Sequence, residues 1–207
     1  MSASPLLLHE YAMSGNCYKI RLTAALLGLP IERREYDILA GATRTPDFLA
    51  NVSANGRIPV LQVGDALLPE SNAACYFLAD GSRLMPGDRW HRADMLHWMF
   101  WEQYNHEPNV ATLRFWLAFV GADNLSDERR EQIGSRRAAG DAALALMDGH
   151  LEVRRYFVGD ALSLADIALY AYTHVADEGG FDLGAYPNVT AWLARVADEP
   201  GHISIHA

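Results

Sequence analysis

Polar side chains that could carry chemistry lie at two places where the sequence predicts that a loop enters a helix. The first is the turn Ser14-Gly15-Asn16, which offers a hydroxyl and an amide, and the second is Glu70-Ser71, which offers a carboxylate and a hydroxyl. The free backbone N–H groups at a helix start, together with a hydroxyl, can hold a carboxylate or another anion. Serine is also a common capping residue, so each serine taken alone can be a structural N-cap.

The elements that would position these residues alternate between strand and helix over residues 1–80. Short apolar runs bounded by turn residues predict strands, and apolar residues at helical spacing before Gly28-Leu29-Pro30 predict a helix with a glycine stop. Gly64-Asp65 predicts a tight hairpin turn. The predicted order is strand, helix, strand, helix, strand, strand, helix, over residues 6–11, 18–27, 31–38, 46–51, 58–63, 66–68 and 70–78.

From Pro86 onward the strand signals stop and only helical patterns remain. The helical windows cover residues 90–119 with an interruption near Pro108, and then 126–151, 163–176 and 189–196. Ser163 and Asp166 form the pattern of a capping box, which concerns folding rather than chemistry. This change predicts a mixed α/β domain over residues 1–80 and an all-α domain over residues 86–207, joined by a linker over 81–85.

Composition narrows the class of protein. The chain has 207 residues, of which 50% are hydrophobic, and a formal net charge of −9, which disfavours nucleic acid as a partner. No apolar run approaches the ~20 residues of a membrane-spanning helix, so no membrane association is expected. Residues 1–8 lack the features of a secretory signal. The two cysteines, Cys17 and Cys75, are too few for a disulfide framework, and they predict a reduced, cytoplasmic compartment.

Several spaced stretches together resemble one known family, the cytosolic glutathione transferases, along nearly the whole chain. The resemblance rests on NGRIPVL at residues 55–61 and LPES at 68–71, which are similar to the family's glutathione-binding core. It also rests on VGD at 158–160, SLADIAL at 163–169 and YPNVTAWL at 186–193, which are similar to its C-terminal signature. The resemblance implies a thioredoxin-like first domain, an all-helical second domain, glutathione as co-substrate and a homodimer.

The resemblance further implies a glutathione site in the first domain. In the family the peptide bond before the proline is cis, so Ile58–Pro59 is expected to be cis and to expose the backbone of Ile58 to the cysteinyl part of glutathione. Ser71 would hold the γ-glutamyl carboxylate, and Glu70 would pair with the γ-glutamyl ammonium group.

Two arginines complete the implied glutathione site. Arg44 and Arg57 fall where family members place basic or polar residues that face the glycyl carboxylate, and a guanidinium can pair with it through two hydrogen bonds. The alternative is that both are solvated surface arginines.

The turn after the first strand would hold the residue that activates the thiol. A thiolate is the nucleophile in this chemistry, and a thiol with a pKa of about 8.5 is only a few per cent ionised near neutrality. Ser14 matches the catalytic serine of theta- and zeta-like classes and the cysteine position of the beta class, and Asn16 resembles the asparagine of disulfide-exchanging bacterial relatives. In other classes the thiol is activated by a tyrosine whose position falls nearer Glu10 in this sequence, so that assignment fails. Tyr11, one residue further along, is a minor candidate. Cys17 is expected to be a small buried residue, although a position in a helix's first turn would lower its pKa and allow oxidation.

The first helices of the second domain would wall the pocket for the second substrate. Residues 98–116 are rich in aromatic side chains, a pattern more often found in a core, but polar side chains are interleaved with them. The candidates for this pocket are Tyr104, His106 and Arg114, and His106 lies within one residue of a beta-class histidine. The histidines and cysteines show no metal-ligand spacing, so no metal is expected.

Three functions are consistent with these features. The first is a glutathione transferase of the detoxifying kind, in which the thiolate attacks a small hydrophobic electrophile. The second is a glutathione-dependent disulfide oxidoreductase or peroxidase. The third is a non-catalytic glutathione-binding or regulatory protein that reuses the fold. The intact Ile58-Pro59 and Glu70-Ser71 elements favour retained ligand binding.

Overall fold

The computed structural model describes residues 5–207, so the first four residues of the predicted first domain lie outside the described residues. The chain forms two compact units. The first unit ends at Ser82 and also includes Glu199–Ala207, and the second unit spans Arg83–Asp198.

The first unit contains a four-stranded mixed sheet. Its strands are β1 (Leu6–Glu10), β2 (Glu32–Glu35), β3 (Val60–Val63) and β4 (Ala66–Pro69), in the spatial order β2-β1-β3-β4. β1 runs parallel to β2 and antiparallel to β3, and β3 pairs with β4 as a hairpin. The edge strand β2 is exposed throughout and reads Glu-Arg-Arg-Glu, a charged pattern that discourages pairing with another sheet.

Three helices accompany this sheet: α1 (Gly15–Leu26), α2 (Pro46–Asn51) and α3 (Ser71–Ala79). The element order therefore confirms the predicted mixed α/β domain of thioredoxin-like type. α1 begins three residues before the predicted start, because Ser14 caps it and accepts a hydrogen bond from the Cys17 N–H. It ends at Leu26, and Gly28 just beyond it has a φ of +66°, in the left-handed region, in line with the predicted glycine stop.

The second unit is all-helical, as predicted. Its helices are α4 (Arg89–Trp101), α5 (Glu107–Arg114), α6 (Asp127–Leu151), α7 (Leu164–Thr173) and α8 (Pro187–Ala197). Two π-helical turns, Glu102–His106 and Phe115–Val120, continue α4 and α5. The interruption predicted near Pro108 is therefore a change of helical type, because proline has no N–H to donate to the carbonyl one turn earlier.

The core of the second unit is built around α7, whose ten residues are all buried. The capping box predicted for this helix is present, with Ser163 and Asp166 bonded to each other's backbone. The Asp166 carboxylate also accepts hydrogen bonds from the Phe157 N–H and the Trp192 indole, each at 3.0 Å. One buried acid thus joins three segments of the unit.

Residues 199–207 were predicted to belong with the helical domain, whereas in the structure they group with the first unit. The Tyr18 hydroxyl of α1 donates a hydrogen bond to the Ile203 carbonyl at 2.6 Å, and the Ile205 side chain is buried. These contacts are made by residues far apart in sequence, so local patterns did not reveal them.

Candidate glutathione site

The N-termini of α1 and α3 meet at a side-chain hydrogen bond. Ser71, the first residue of α3, donates from its hydroxyl to the side-chain oxygen of Asn16 in the first turn of α1 at 3.3 Å. The Ser71 side chain is buried, whereas Asn16 is partly exposed. Because a helix start presents backbone N–H groups and the positive end of its dipole, two adjacent starts favour a bound anion.

Glu70 occupies an unusual backbone conformation immediately before α3. Its φ of 71° and ψ of 112° make it the non-glycine residue with positive φ among those the structure describes. Such conformations are costly and concentrate at ligand sites, where surrounding structure holds them. The Glu70 side chain is exposed, so its carboxylate is available to a ligand beside Ser71.

The loop before β3 has the geometry that the resemblance implied. The Ile58–Pro59 peptide bond is cis. Immediately before β3, Pro59 is buried and Ile58 is half-buried. This confirms the expected cis bond.

Arg44 ends a short 3-10 turn, Ala42–Arg44, while Arg57 lies in the loop before β3, and both are exposed. The Arg44 guanidinium donates to the Asn55 carbonyl at 3.1 Å. It also covers Gly56, where an added Cβ would come within 2.6 Å of the Arg44 Nη1 atom. Glycine at this position therefore lets Arg44 rest against the loop that leads to Ile58.

Ser14 serves as the N-cap of α1. Its hydroxyl oxygen accepts from the Cys17 N–H at 3.4 Å, and its own N–H donates to the Tyr11 carbonyl at 2.9 Å, which closes the turn. A hydroxyl that accepts one bond keeps its proton for donation. The capping role and a role as hydrogen-bond donor to a thiol are therefore compatible.

Cys17 is a small buried residue, as predicted, and the alternative that the helix start makes its thiol acidic is wrong. The Cys17 side chain is completely buried, and this burial raises the pKa of its thiol to about 12. The hydrogen bonds from the Tyr11 N–H and Ser14 act in the opposite direction but are weaker than the loss of water. Cys17 is thus a packing residue without a reactive thiolate.

The three candidates for the second-substrate pocket have different environments in the second unit. Tyr104 is 86% exposed. His106 is buried and its Nε2 atom lies 3.0 Å from the Thr173 hydroxyl, while buried Arg114 pairs with Glu178 at 2.8 Å. Tyr104 alone of the three borders a groove of about 300 Å³, together with Trp101, Asn105, Asn109, Ala139, Ala142, Ala143 and Leu146. The other two side chains make interior contacts between helices.

Comparison with known proteins identifies the family. The model for the glutathione S-transferase N-terminal domain matches residues 4–80, and the model for the C-terminal domain matches residues 110–200. This chain belongs to the glutathione S-transferase family. The site described above thus lies in the N-terminal glutathione S-transferase domain, and the groove beside Tyr104 lies in the all-helical second unit.

Bacterial glutathione S-transferases are similar to the chain over most of its length. Glutathione S-transferase GstB of Escherichia coli is 30% identical over 198 residues, covering 90% of each chain. The crystal structure of a glutathione S-transferase from Pseudomonas fluorescens is 47% identical with a TM-score of 0.91, covering 99% of this chain and all of that one. A structure described as Ure2p in complex with glutathione shares the fold at 19% identity, with a TM-score of 0.82, covering 97% of this chain and 92% of that chain.

Two negative findings concern the described residues of this glutathione S-transferase. Over residues 5–207, no helix is both long and apolar enough to cross a membrane. Within the same range, no group of three or more His, Cys, Asp and Glu side chains is arranged to hold a metal ion.

Proposed function

We propose that this glutathione S-transferase binds glutathione in its first unit and presents the thiolate to a small hydrophobic electrophile. The observation that carries the proposal is the Asn16–Ser71 hydrogen bond, because it brings two helix N-termini together beside the exposed carboxylate of Glu70. A tripeptide with a carboxylate and an ammonium group on the same carbon needs an anion site and a carboxylate side by side.

Each part of glutathione has a partner in this proposal. The γ-glutamyl carboxylate accepts from the N–H groups at the start of α3 and from the Ser71 hydroxyl, whose single proton turns from Asn16 to the ligand on binding, and the γ-glutamyl ammonium group pairs with Glu70. The cysteinyl backbone pairs with that of Ile58. Arg44 and Arg57 face the glycyl carboxylate, with Arg44 anchored on the Asn55 carbonyl. In this arrangement glutathione is held by charged partners at both ends and by backbone pairing in the middle.

Ser14 is proposed to activate the thiol. Its hydroxyl would donate a hydrogen bond to the glutathione sulfur, which stabilises the thiolate relative to the thiol, and the thiol proton would be released to water. Lowering a thiol pKa by two units takes about 2.7 kcal/mol of selective stabilisation. The thiolate then attacks the electrophilic carbon, the C–S bond forms, and the leaving group departs with its electron pair.

Asn16 has a different proposed role. Because its side-chain oxygen accepts the Ser71 hydroxyl, Asn16 holds the Ser71 side chain at the start of α3 until the γ-glutamyl carboxylate takes that proton. Its amide N–H group makes it the rival to Ser14 as donor to sulfur. Since Asn16 is also the residue that resembles the disulfide-exchanging relatives, attack of the thiolate on a disulfide or peroxide is the second candidate function.

Two assays together test the proposal. Calorimetry with glutathione measures binding, and turnover is followed with an activated dinitrophenyl halide, a mixed disulfide of glutathione and an organic hydroperoxide. Conjugation of the halide is expected to be the dominant activity. Binding without turnover of any of the three would instead identify a non-catalytic glutathione-binding protein, and absence of binding would refute the site.

A homodimer is also proposed, with a second copy of this chain seated on the groove beside Tyr104. The exposed Tyr104 ring and the recess lined by Ala139 and Ala142 belong to one face of the second unit. A two-fold axis pairs a surface with itself, so a projecting ring and a recess on the same face can satisfy each other. His106 and Arg114, which make interior contacts, would support the helices of this face from inside, and the pocket for the second substrate stays a prediction from the sequence. The cytoplasmic location stays a prediction from the sequence.

A further inference from the structure

The turn that carries Ser14 is held in place by two side chains from elsewhere in the first unit. The Ala12 N–H donates to both carboxylate oxygens of Glu35 on β2, at 2.9 and 3.0 Å. The Ala12 carbonyl accepts from the Arg21 guanidinium at 2.5 Å. Both polar groups of the Ala12 backbone, two residues before Ser14, are therefore fixed by charged partners.

Arg21 also contacts the C-terminal segment, residues 203–207. Its Nη2 atom, which contacts Ala12, donates to the Ile205 carbonyl at 3.0 Å, and Nη1 donates to the Ala207 carbonyl at 3.0 Å. Its Nε atom forms an ion pair with the buried Glu10 carboxylate at 3.1 Å. Because Arg21 is itself buried, this one guanidinium rigidly joins the end of β1, the turn and the C-terminal segment.

The C-terminal segment has its own anchors in the first unit. The Tyr18 hydroxyl holds the Ile203 carbonyl, and Ile205 is buried. Arg33 donates to the Ala207 carbonyl at 2.8 Å and pairs with Glu10. Arg33 thus shares two partners with Arg21, but the contact with the Ala12 carbonyl belongs to Arg21.

We propose that Arg21, clamped by the C-terminal segment, is a positioning residue that aims the Ser14 hydroxyl at the glutathione sulfur. This rests on the proposed function, in which Ser14 activates the thiol. A hydrogen bond to sulfur requires its donor to stay within a few tenths of an ångström of one place, and the turn reaches that precision by having its backbone fixed at Ala12. Lysine cannot replace arginine here, because a single ammonium nitrogen cannot reach the Ala12 and Ile205 carbonyls held by Nη2 and, at the same time, the separate partners of Nη1 and Nε, Ala207 and Glu10.

The test compares Arg21→Lys with Arg33→Lys as its matched control, since both lose a guanidinium that contacts Glu10 and Ala207. Three quantities are measured: the pKa of the bound glutathione thiol by ultraviolet titration, the pH profile of kcat, and the free energy of unfolding in urea. Arg21→Lys is expected to raise the pKa of the bound thiol by about half a unit to one unit and to lower kcat at neutral pH by about threefold to tenfold, with KM for glutathione nearly unchanged. Arg33→Lys is expected to lower stability without moving the thiol titration.

A second variant covers the case in which Arg21→Lys fails to fold. Ile205→Ala loosens the C-terminal segment while leaving Arg21 and Ser14 intact, and it is expected to shift the thiol titration in the same direction by a smaller amount. If Arg21→Lys folds and its bound thiol has the wild-type pKa, the inference is overturned. If Arg21→Lys does not fold, a wild-type thiol pKa in Ile205→Ala overturns it. If Ser14→Ala raises the thiol pKa while these variants do not, the inference fails and the proposed function stands. If Ser14→Ala does not change the pKa of the bound thiol, the proposed activating role of Ser14 is refuted, and the inference about Arg21 that rests on it is refuted too.

Discussion

The Ser71 hydroxyl donates a hydrogen bond to the Asn16 side-chain oxygen at 3.3 Å, although the two residues are 55 positions apart in the sequence. The bond fixes the start of α3 against the start of α1, so that the positive ends of both helix dipoles face the same place. The backbone N–H groups beside Ser71 stay able to donate to a bound carboxylate. The proposed γ-glutamyl site and the proposed thiol site are therefore parts of one electrostatic arrangement.

Removing the charge or the hydroxyl at the start of α3 should weaken glutathione binding. Glu70→Gln and Ser71→Ala are each expected to cost roughly 1–3 kcal/mol of binding free energy, because a charged group of the ligand is left without its partner. Isothermal titration calorimetry measures this directly. Glu131→Gln and Ser135→Ala, which change exposed residues of α6, are the matched controls and should bind normally. Unchanged affinity in both Glu70→Gln and Ser71→Ala would remove the proposed site.

Ser14→Ala should raise the pKa of the bound glutathione thiol by about one to two units, since it removes a charge-assisted hydrogen bond to sulfur. Affinity for glutathione at low pH should change little, because the neutral thiol has little need of the donor. Ultraviolet titration of the thiolate gives the pKa in each variant. The comparison variant is Asn16→Ala: a shift found only there transfers the activating role to the amide, and no shift in either variant leaves the helix terminus as the activator.

His9 should make the protein less stable in acid. Its Nε2 atom lies 3.0 Å from the Gln62 side-chain oxygen and its Nδ1 atom 2.9 Å from the Tyr36 hydroxyl, and a neutral ring satisfies both partners by donating from Nε2 and accepting at Nδ1. Burial lowers the pKa of His9 below its usual 6.5. The unfolded chain therefore binds a proton at a higher pH than the folded chain does. The stability from His9 is complete above about pH 6.5 and decreases as the pH falls below it, by at most about 1.4 kcal/mol per pH unit.

Urea unfolding at several pH values from 7.5 to 5 tests this contribution. Burial also lowers the pKa of His150 and His202, so the wild-type curve combines several histidines. The difference in the free energy of unfolding between wild type and His9→Gln, taken at each pH, isolates the contribution of His9. That difference should shrink as the pH falls, and curves that stay parallel over the whole range would contradict the assignment.

The groove beside Tyr104 should carry the subunit contact. Ala142→Arg places a charged side chain in the recess and should convert a dimer to a monomer at micromolar concentration, as measured by sedimentation velocity. Ala191→Arg, at an exposed alanine of α8 in the same unit, is the control and should remain dimeric. A wild-type protein that sediments as a monomer, or an Ala142→Arg protein that stays dimeric, would rule out this surface.

Local chemistry allowed much of the fold to be predicted from the sequence. Alternating strand and helix patterns predicted the first unit, and the loss of strand signals after Pro86 predicted the helical second unit. The glycine stop at Gly28 and the capping box at Ser163 involve residues within a few positions of each other, so their geometry follows from short-range sterics and hydrogen bonding. The family's cis Ile58–Pro59 bond was likewise implied by a short motif.

The remaining features depend on contacts between distant parts of the chain. His106 and Arg114 were expected at a pocket, but packing against α7 and Glu178 buries them, because a helix's aromatic and polar residues do not reveal which face meets another helix. Cys17 is buried as predicted, and burial outweighs the helix's first turn, which by itself would have lowered its pKa. The Arg21–Ile205 hydrogen bond joins residues 184 positions apart. The sequence by itself determined the helices and strands and the residue types at their ends. The tertiary structure decided which of those residues lie in the same environment. The reason is that a side chain loses water and meets distant hydrogen-bond partners only once the chain has folded.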